Sequence, residues 1–338
     1  IIGDSGVGKS SFINALIRLD VNHPDAAPVG VTETTMKSKK YSHPSCPNLQ
    51  LWDTPGIGTR TFPDLETYCR SVDIDRYDEF IIMSSTRFTD HDRELAEKLT
   101  SMRKPFFFVR GKIDADCKNE EKKKGFIEDE MLKKIKEDCS ENLRDMVNNE
   151  EDIYLISNND PLKWDFPRLV EEIMKKLRRH KQEAFCLCMY NFSKHILERK
   201  IITLEGKVWM VALKCLIVKT FTTKSYSYII NYKNVVTMVE FYRHQLGFPE
   251  KDSNEFQQMS KELQEEVEKF YLIDDINVKL WLKRVDGAPG DKTLDEDGIL
   301  DSTFKFVYQS LLRVLDEMNK LASKILKEAK ERSDISVI

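Results

Sequence analysis

Three glycines, a lysine and a serine stand at fixed spacing in the run Gly3-Asp4-Ser5-Gly6-Val7-Gly8-Lys9-Ser10, a match to G-x-x-x-x-G-K-S. Small residues let successive backbone N–H groups curl around phosphate oxygens. Lys9 can then reach the outer phosphates, and the Ser10 hydroxyl is a hard oxygen ligand suited to Mg²⁺. Ser11 completes the set at the head of a helix whose positive end faces the same anion. A second group is Asp53-Thr54-Pro55-Gly56, directly after a short apolar run. A carboxylate at a strand end can hold Mg²⁺ through water, and the Gly56 N–H can face a terminal phosphate. Alone, Asp-Thr-Pro-Gly is a common turn. Placed after a phosphate loop and its helix, it becomes specific.

Further along, Gly111-Lys112-Ile113-Asp114 follows another apolar run. The Asp114 carboxylate can accept both the N1–H and the 2-amino hydrogens of guanine, a donor pair that adenine lacks. Leaving such a buried group unpaired costs about 1–3 kcal/mol, which excludes the wrong base. Lys112 can lie over the ring edge. Ser157-Asn158-Asn159 comes after the last apolar run and supplies further polar groups for the base. Between the glycine loop and Asp53, the segment Gly30-Val31-Thr32-Glu33-Thr34-Thr35-Met36 offers threonine hydroxyls, with Thr35 the candidate to complete a Mg²⁺ shell. Glu33 is the acid in that segment able to orient a water molecule. The residue after Gly56 is Ile57, where Ras-type enzymes place a glutamine for that purpose.

These groups need a scaffold, and the first half of the chain has its signature. Short apolar runs at 49–52, 80–83, 106–109 and 153–156 read as buried parallel strands, with 36–41 as a more polar edge strand. Helical stripes alternate with them: Phe12, Ile13, Leu16 and Ile17, then Phe166, Leu169, Val170, Ile173, Met174 and Leu177, started by Asp165 and Pro167. The alternation predicts an α/β fold with a mostly parallel sheet flanked by helices. The second half shows only helical periods. One stripe is Val235, Met238, Val239, Tyr242 and Leu246, a second runs from Phe256 to Phe270, and a long third from Phe304 to Ile325. The segment 286–301 reads as a loop. The expected organisation is an α/β domain over 1–182 and an all-α domain over 183–338.

Composition narrows the function. Lys and Arg number 53 against 57 Asp and Glu, a formal charge of −4, which argues against a dedicated nucleic-acid binder. No uncharged apolar run approaches bilayer length. The most lipophilic stretch, 208–218, is interrupted by Lys214 and flanked by Lys207 and Lys219, so it suits either a buried helix or an anionic membrane surface. The seven cysteines are odd in number and scattered, as reduced cytosolic thiols are. The grouping of Cys186, Cys188, His180 and His195 fits no standard zinc spacing. The chain opens on Ile1 inside a motif, so a piece of a longer protein is expected, with any N-terminal targeting signal outside it.

The run from Gly3 to Leu16, the Thr-Glu-x-Thr-Met segment at 32–36 and Trp52-Asp53-x-Pro55-Gly56-Ile57-Gly58 resemble the immunity-related, interferon-inducible GTPase family. So do Ser85-Thr86-Arg87-Phe88 and Phe107-Phe108-Val109-Arg110, and Lys9 matches the branch with a standard phosphate-loop lysine. The resemblance covers 1 to about 185 strongly and the helical remainder more weakly. It implies a P-loop G domain joined to a helical domain built from segments on both sides of it, of which this chain holds the C-terminal one. It further implies GTP and GDP as ligands with Mg²⁺, Glu33 as the acid implicated in hydrolysis alongside Lys9, and homo-oligomerisation through the G domain. Action on intracellular, vacuolar membranes in cell-autonomous immunity follows from the same likeness, with a cytoplasmic, peripherally membrane-associated location. Two positions depart from the family pattern. Gly111 stands where Thr or Asn is usual and Asn159 where Lys is frequent, so a weaker grip on guanine is expected. The alternative is a nucleotide-binding switch that acts through partners without turnover.

Overall fold

The computed structural model describes the chain except residues 18, 20–21, 31–34, 44–45, 60, 145, 148, 178, 222–223, 272–298 and 336–338. It divides into two compact units, Ile1–Phe192 and Ser193–Ile338.

In the first unit, β3 (Phe80–Ser85), β4 (Phe106–Gly111) and β5 (Ile153–Leu155) form a parallel sheet in the order β3-β4-β5. Phe80 pairs with Phe106 and Phe108 with Ile153. These are the continuous apolar runs of the sequence, buried because helices cover a parallel sheet on both faces. The first residues run beside β3: the Ile2 N–H donates to the Ile81 carbonyl at 2.9 Å, and the Met83 N–H donates to that of Ile2 at 2.8 Å. On its other side this stub meets the segment that follows β2 (Cys46–Asp53), where Asp4 bridges to Ile57 in parallel sense. β1 (Lys39–His43) pairs antiparallel with β2, so the polar edge strand is one arm of a hairpin.

α1 (Lys9–Ile17) buries Phe12, Ile13, Leu16 and Ile17, the predicted stripe. Phe12 packs on Phe166 of α6 (Phe166–Lys176) with ring centroids 5.5 Å apart, and Phe166 packs on Phe192 at 5.1 Å. α2 (Leu65–Val72), α3 (Asp90–Ser101), α4 (Ile113–Glu120) and α5 (Glu128–Asn142) complete this unit's α-helices up to β5. Leu95, Ala96 and Leu99 of α3 and Ile113 and Cys117 of α4 share one apolar cluster with Ile82 and Phe108. Asp165 stands at the head of α6 but caps none of its N–H groups. Its carboxylate instead accepts the Leu155 N–H at 3.0 Å and the Arg168 Nε–H at 3.0 Å, tying the end of β5 to the helix. α7 (Arg179–Cys188) runs continuously through the position expected for the domain boundary, and the units divide just after it. Cys69, Cys117, Cys139, Cys186 and Cys215 form no disulfide, and burial pushes Cys117 up to about 11 and Cys139 to about 12.

The elements of the second unit, among its described residues, are all helices: α8 (Lys194–Phe221), α9 (Lys224–Gln245), α10 (Asn254–Gln257), α11 (Lys261–Tyr271) and α12 (Ile299–Ile335). Val307, Leu311, Val314, Leu315, Met318, Leu321 and Ile325 are buried along α12, as their spacing predicts. The stripe from Phe256 to Phe270 is buried too, but it is carried by two helices. The break between them is held where Glu328 accepts the Ser260 N–H at 2.8 Å and the Ser260 hydroxyl at 2.9 Å. The segment read as a loop, 286–301, lies outside the described residues up to 298, and its last residues already belong to α12.

Candidate nucleotide-binding site

The sequence-predicted groups converge where the parallel strands end, the usual location for ligands of an open α/β sheet. The loop 3–8 links the Ile2 stub to α1. Gly3 has φ 142°, and a Cβ there would lie 2.1 Å from the Met83 carbonyl oxygen, so only glycine fits. Lys9 is 7% exposed and its ammonium donates to the carbonyls of Gly3 at 3.1 Å and Asp4 at 2.8 Å, spanning the loop. Val7 is buried, whereas Ser5 and Gly6 face solvent and Ser11 is half-buried on α1.

The cation corner is tightly drawn. Asp53 is fully buried, and its Oδ2 accepts the Ser10 hydroxyl at 2.6 Å and the Thr35 hydroxyl at 2.9 Å. Its Oδ1 is buried and has no hydrogen-bond partner among the described residues. A buried anion left half-satisfied is costly, and hard oxygen donors of this kind are those Mg²⁺ takes. The residues therefore fit the cation. Gly56 lies against the glycine loop, with Ser5 Cα 2.5 Å from where its Cβ would be. Glu33 falls in 31–34, outside the described residues. Ile57 is 1% exposed and belongs to the core, so the position after Gly56 presents no side chain to water.

The other end is built by the tips of β4 and β5. Lys112 has φ 62°, an αL conformation that turns its ammonium back to the Gly6 carbonyl at 2.7 Å. Asp114 sits in the first turn of α4, and its Oδ2 accepts the Asn159 amide at 2.9 Å. Ser157 is buried, and its hydroxyl accepts the Asn159 N–H at 3.1 Å. Asn158 donates to the Gly8 carbonyl at 3.0 Å, joining the β5 tip directly to the glycine loop. Gly111 is buried, but a Cβ there would meet nothing nearer than 3.5 Å. Arg110, 3% exposed, donates to the Thr86 carbonyl and to Asp116, each at 2.7 Å, and braces the start of α4. Burial raises the Asp116 carboxyl above its ordinary range, and the Arg110 charge and hydrogen bond only partly offset it.

Asn159, read from the sequence as a polar group for the base and as a departure from the family pattern, touches Asp114 directly. Two groups at this site carry no motif signal. Thr89 and His91 both reach Asp4, at 3.1 and 2.8 Å, from more than 80 residues away. Nothing in local spacing announces a contact between distant elements.

Residues 1–335 match the model of the family described as Interferon-inducible GTPase (IIGP). The chain belongs to the interferon-inducible GTPase family. It is 40% identical over 216 residues to T-cell-specific guanine nucleotide triphosphate-binding protein 2 of Mus musculus, covering 63% of this chain and 52% of that protein. It is 32% identical over 270 residues to Interferon-inducible GTPase 1 of Mus musculus, covering 79% and 64%. It is 37% identical over 215 residues to Interferon-inducible GTPase 5 of Bos taurus, covering 63% and 46%. The chain thus spans about half the length of most of these curated relatives. As a member of the interferon-inducible GTPase family it has the architecture expected of one, a parallel sheet flanked by helices with a helical region after it.

Proposed function

We propose that this chain binds GTP and GDP with Mg²⁺ and hydrolyses GTP to GDP and phosphate, in an interferon-induced, cell-autonomous immune response. The observation that carries the reading is the buried Asp53, drawn on by Ser10 and Thr35 through one oxygen and, among the described residues, unpartnered at the other. Ser10, Thr35 and Asp53 would hold Mg²⁺, which when bound neutralises charge on the phosphate oxygens. Lys9 supplies a second positive charge at the mouth of the glycine loop, and the backbone N–H groups of 4–8 supply oriented donors. Asp114 selects guanine, with Lys112, Ser157 and Asn158 shaping the base pocket.

Hydrolysis needs an oriented water. Ile57 cannot hold one, and Glu33 is the acid proposed for that work. Pairing of G domains across the nucleotide face would complete the arrangement, so turnover per molecule should rise with protein concentration. A flat specific activity removes the pairing step. The second reading, a switch that binds nucleotide without turnover, is favoured by the burial of Ile57. A turnover assay with GTP, run beside binding assays with GTP, GDP and ATP, separates the two.

The proposed seat of action is the cytoplasmic face of an intracellular membrane. Among the described residues no helix is long and apolar enough to cross a membrane. α8 nevertheless exposes Ile202, Trp209, Met210 and Leu213 beside Lys207 and Lys214, an apolar stripe with cationic flanks suited to an anionic surface. Sedimentation with anionic liposomes, with and without GTP, tests this placement.

A further inference from the structure

Asp4 lies inside the glycine loop, yet its carboxylate is engaged elsewhere. Oδ1 is 2.8 Å from His91 Nδ1, and Oδ2 accepts the Thr89 hydroxyl at 3.1 Å. A carboxylate opposite another acceptor would be repelled, so Nδ1 carries the proton and donates. That fixes the tautomer and the plane of the ring.

The base of this contact is rigid. Thr89 caps α3 in a reciprocal capping box with Asp92. Asp92 Oδ2 also accepts the Ser84 hydroxyl at 2.7 Å, which ties the start of α3 to the end of β3. The other face of the imidazole rests on Gly58, two residues beyond Gly56. Gly58 has φ 75°, and a Cβ there would lie 2.7 Å from His91 Cε1, so the ring and the turn have been fitted to each other. Nearby the Ile57 N–H donates to the Gly3 carbonyl at 3.3 Å. The turn 56–58 is therefore held to the glycine loop twice: by backbone at Ile57 and through the sequence Gly58, His91, Asp4. The Asp4 carbonyl also accepts from the Lys9 ammonium.

We propose that His91 is a positioning residue for GTP hydrolysis. It acts through Asp4 on the seat of Lys9 and through Gly58 on the turn that carries Gly56. This rests on the GTPase reading above. Because Ile57 offers no water-orienting group, the turn must be placed by its neighbours, and the His91 ring is the side chain packed against it at Gly58. A displacement of about 1 Å in such an element costs up to about 100-fold in rate.

The test compares wild type, His91→Ala and His91→Asn in the full-length protein, reading kcat, KM, GDP affinity and melting temperature. Asparagine keeps a donor near the Nδ1 position. The expected result is a kcat for His91→Ala lowered by about 10-fold or more, with GDP affinity within about 2-fold of wild type, and recovery of most of the loss in His91→Asn. An unchanged kcat in His91→Ala overturns the proposal. So does an equal loss in both variants that follows melting temperature, which would mark a packing role alone. In either case wild-type turnover leaves the GTPase reading standing. A wild-type protein that binds GTP without turning it over sinks the GTPase reading and this inference together.

Discussion

The end of this site proposed for the phosphates and the end proposed for the base are built to different standards. At the phosphate end Lys9 is 7% exposed and Asp53 wholly buried, and Ser10 and Thr35 meet on a single carboxylate oxygen. Gly3 tolerates no side chain. At the base end Lys112 is exposed, Asp114 is half-buried and held by one amide, and Gly111 has room for a side chain. The difference follows from what each end must do. Phosphates are recognised by preorganised backbone and charge, which the fold itself has to supply. A base is chosen by a few side-chain contacts on loop tips, which can change without disturbing the core. The phosphate end should therefore be costly to alter in stability, and the base end mainly in selectivity.

The sharpest way to break this contrast is a pair of glycine substitutions. Gly3→Ala is expected to destabilise the chain by about 4 kcal/mol, from overpacking against Met83 and backbone strain. Gly111→Ala should stay within about 1 kcal/mol. Denaturant unfolding of both variants compares them, and similar losses would erase the distinction. Next in size is Lys9→Ala, expected to weaken GTP binding about 100-fold through loss of a charge-assisted contact. Removing Mg²⁺ with a chelator should weaken wild-type binding as well, but should have little effect in Asp53→Asn, where the cation's anchor is already neutral.

At the base end, Asp114→Asn should shift preference from guanine toward xanthine nucleotides by about 10- to 100-fold, with an unchanged melting temperature. Equal loss of both nucleotides would mean that the residue holds the loop rather than reads the base. The smallest effect concerns the support beneath that end. Burial opposes ionisation of Asp165, but its hydrogen bonds with Arg168 and the Leu155 N–H, with the Arg168 and Lys136 charges, hold its carboxyl below the ordinary range. A carboxylate depressed in the folded state stabilises above its unfolded pKa and loses that contribution as pH falls through the folded one. Asp165→Asn should therefore cost about 1 kcal/mol near neutrality, and the gap to wild type should close in acid, below about pH 4. A gap independent of pH would contradict the assignment.

The asymmetry also explains what could be read from the sequence. That Lys9, Ser10, Asp53 and Asp114 would gather at the strand ends was legible because each belongs to a local pattern of fixed spacing. β3, β4 and β5 and the stripes of α1, α6 and α12 were legible because burial leaves continuous apolar runs in strands and a period in helices; the run 49–52, read as a buried parallel strand, is instead part of β2, paired antiparallel with β1 and with Leu51 and Trp52 only half-buried. His91 and Thr89 were not, since their partner Asp4 comes from an element joined to theirs only by the fold; Asn159 stood in the Ser157-Asn158-Asn159 group, but nothing local announced its contact with Asp114. The break between α10 and α11 escaped for a related reason. The apolar period runs on unbroken through Met259, and the break is set by Glu328 on another helix. Asp165 shows the same limit at one residue: it stands where a cap belongs, while its carboxylate serves β5.

The central claim is that the glycine loop and the Asp53 corner hold the phosphates of a guanine nucleotide while Asp114 reads its base. Titration calorimetry of the full-length protein with GDP and a non-hydrolysable GTP analogue, in Mg²⁺, tests it most directly. The account predicts saturable heat with both, abolished by Lys9→Ala, and none with ATP. Absence of heat from a well-folded preparation, or equal binding of ATP, would contradict it.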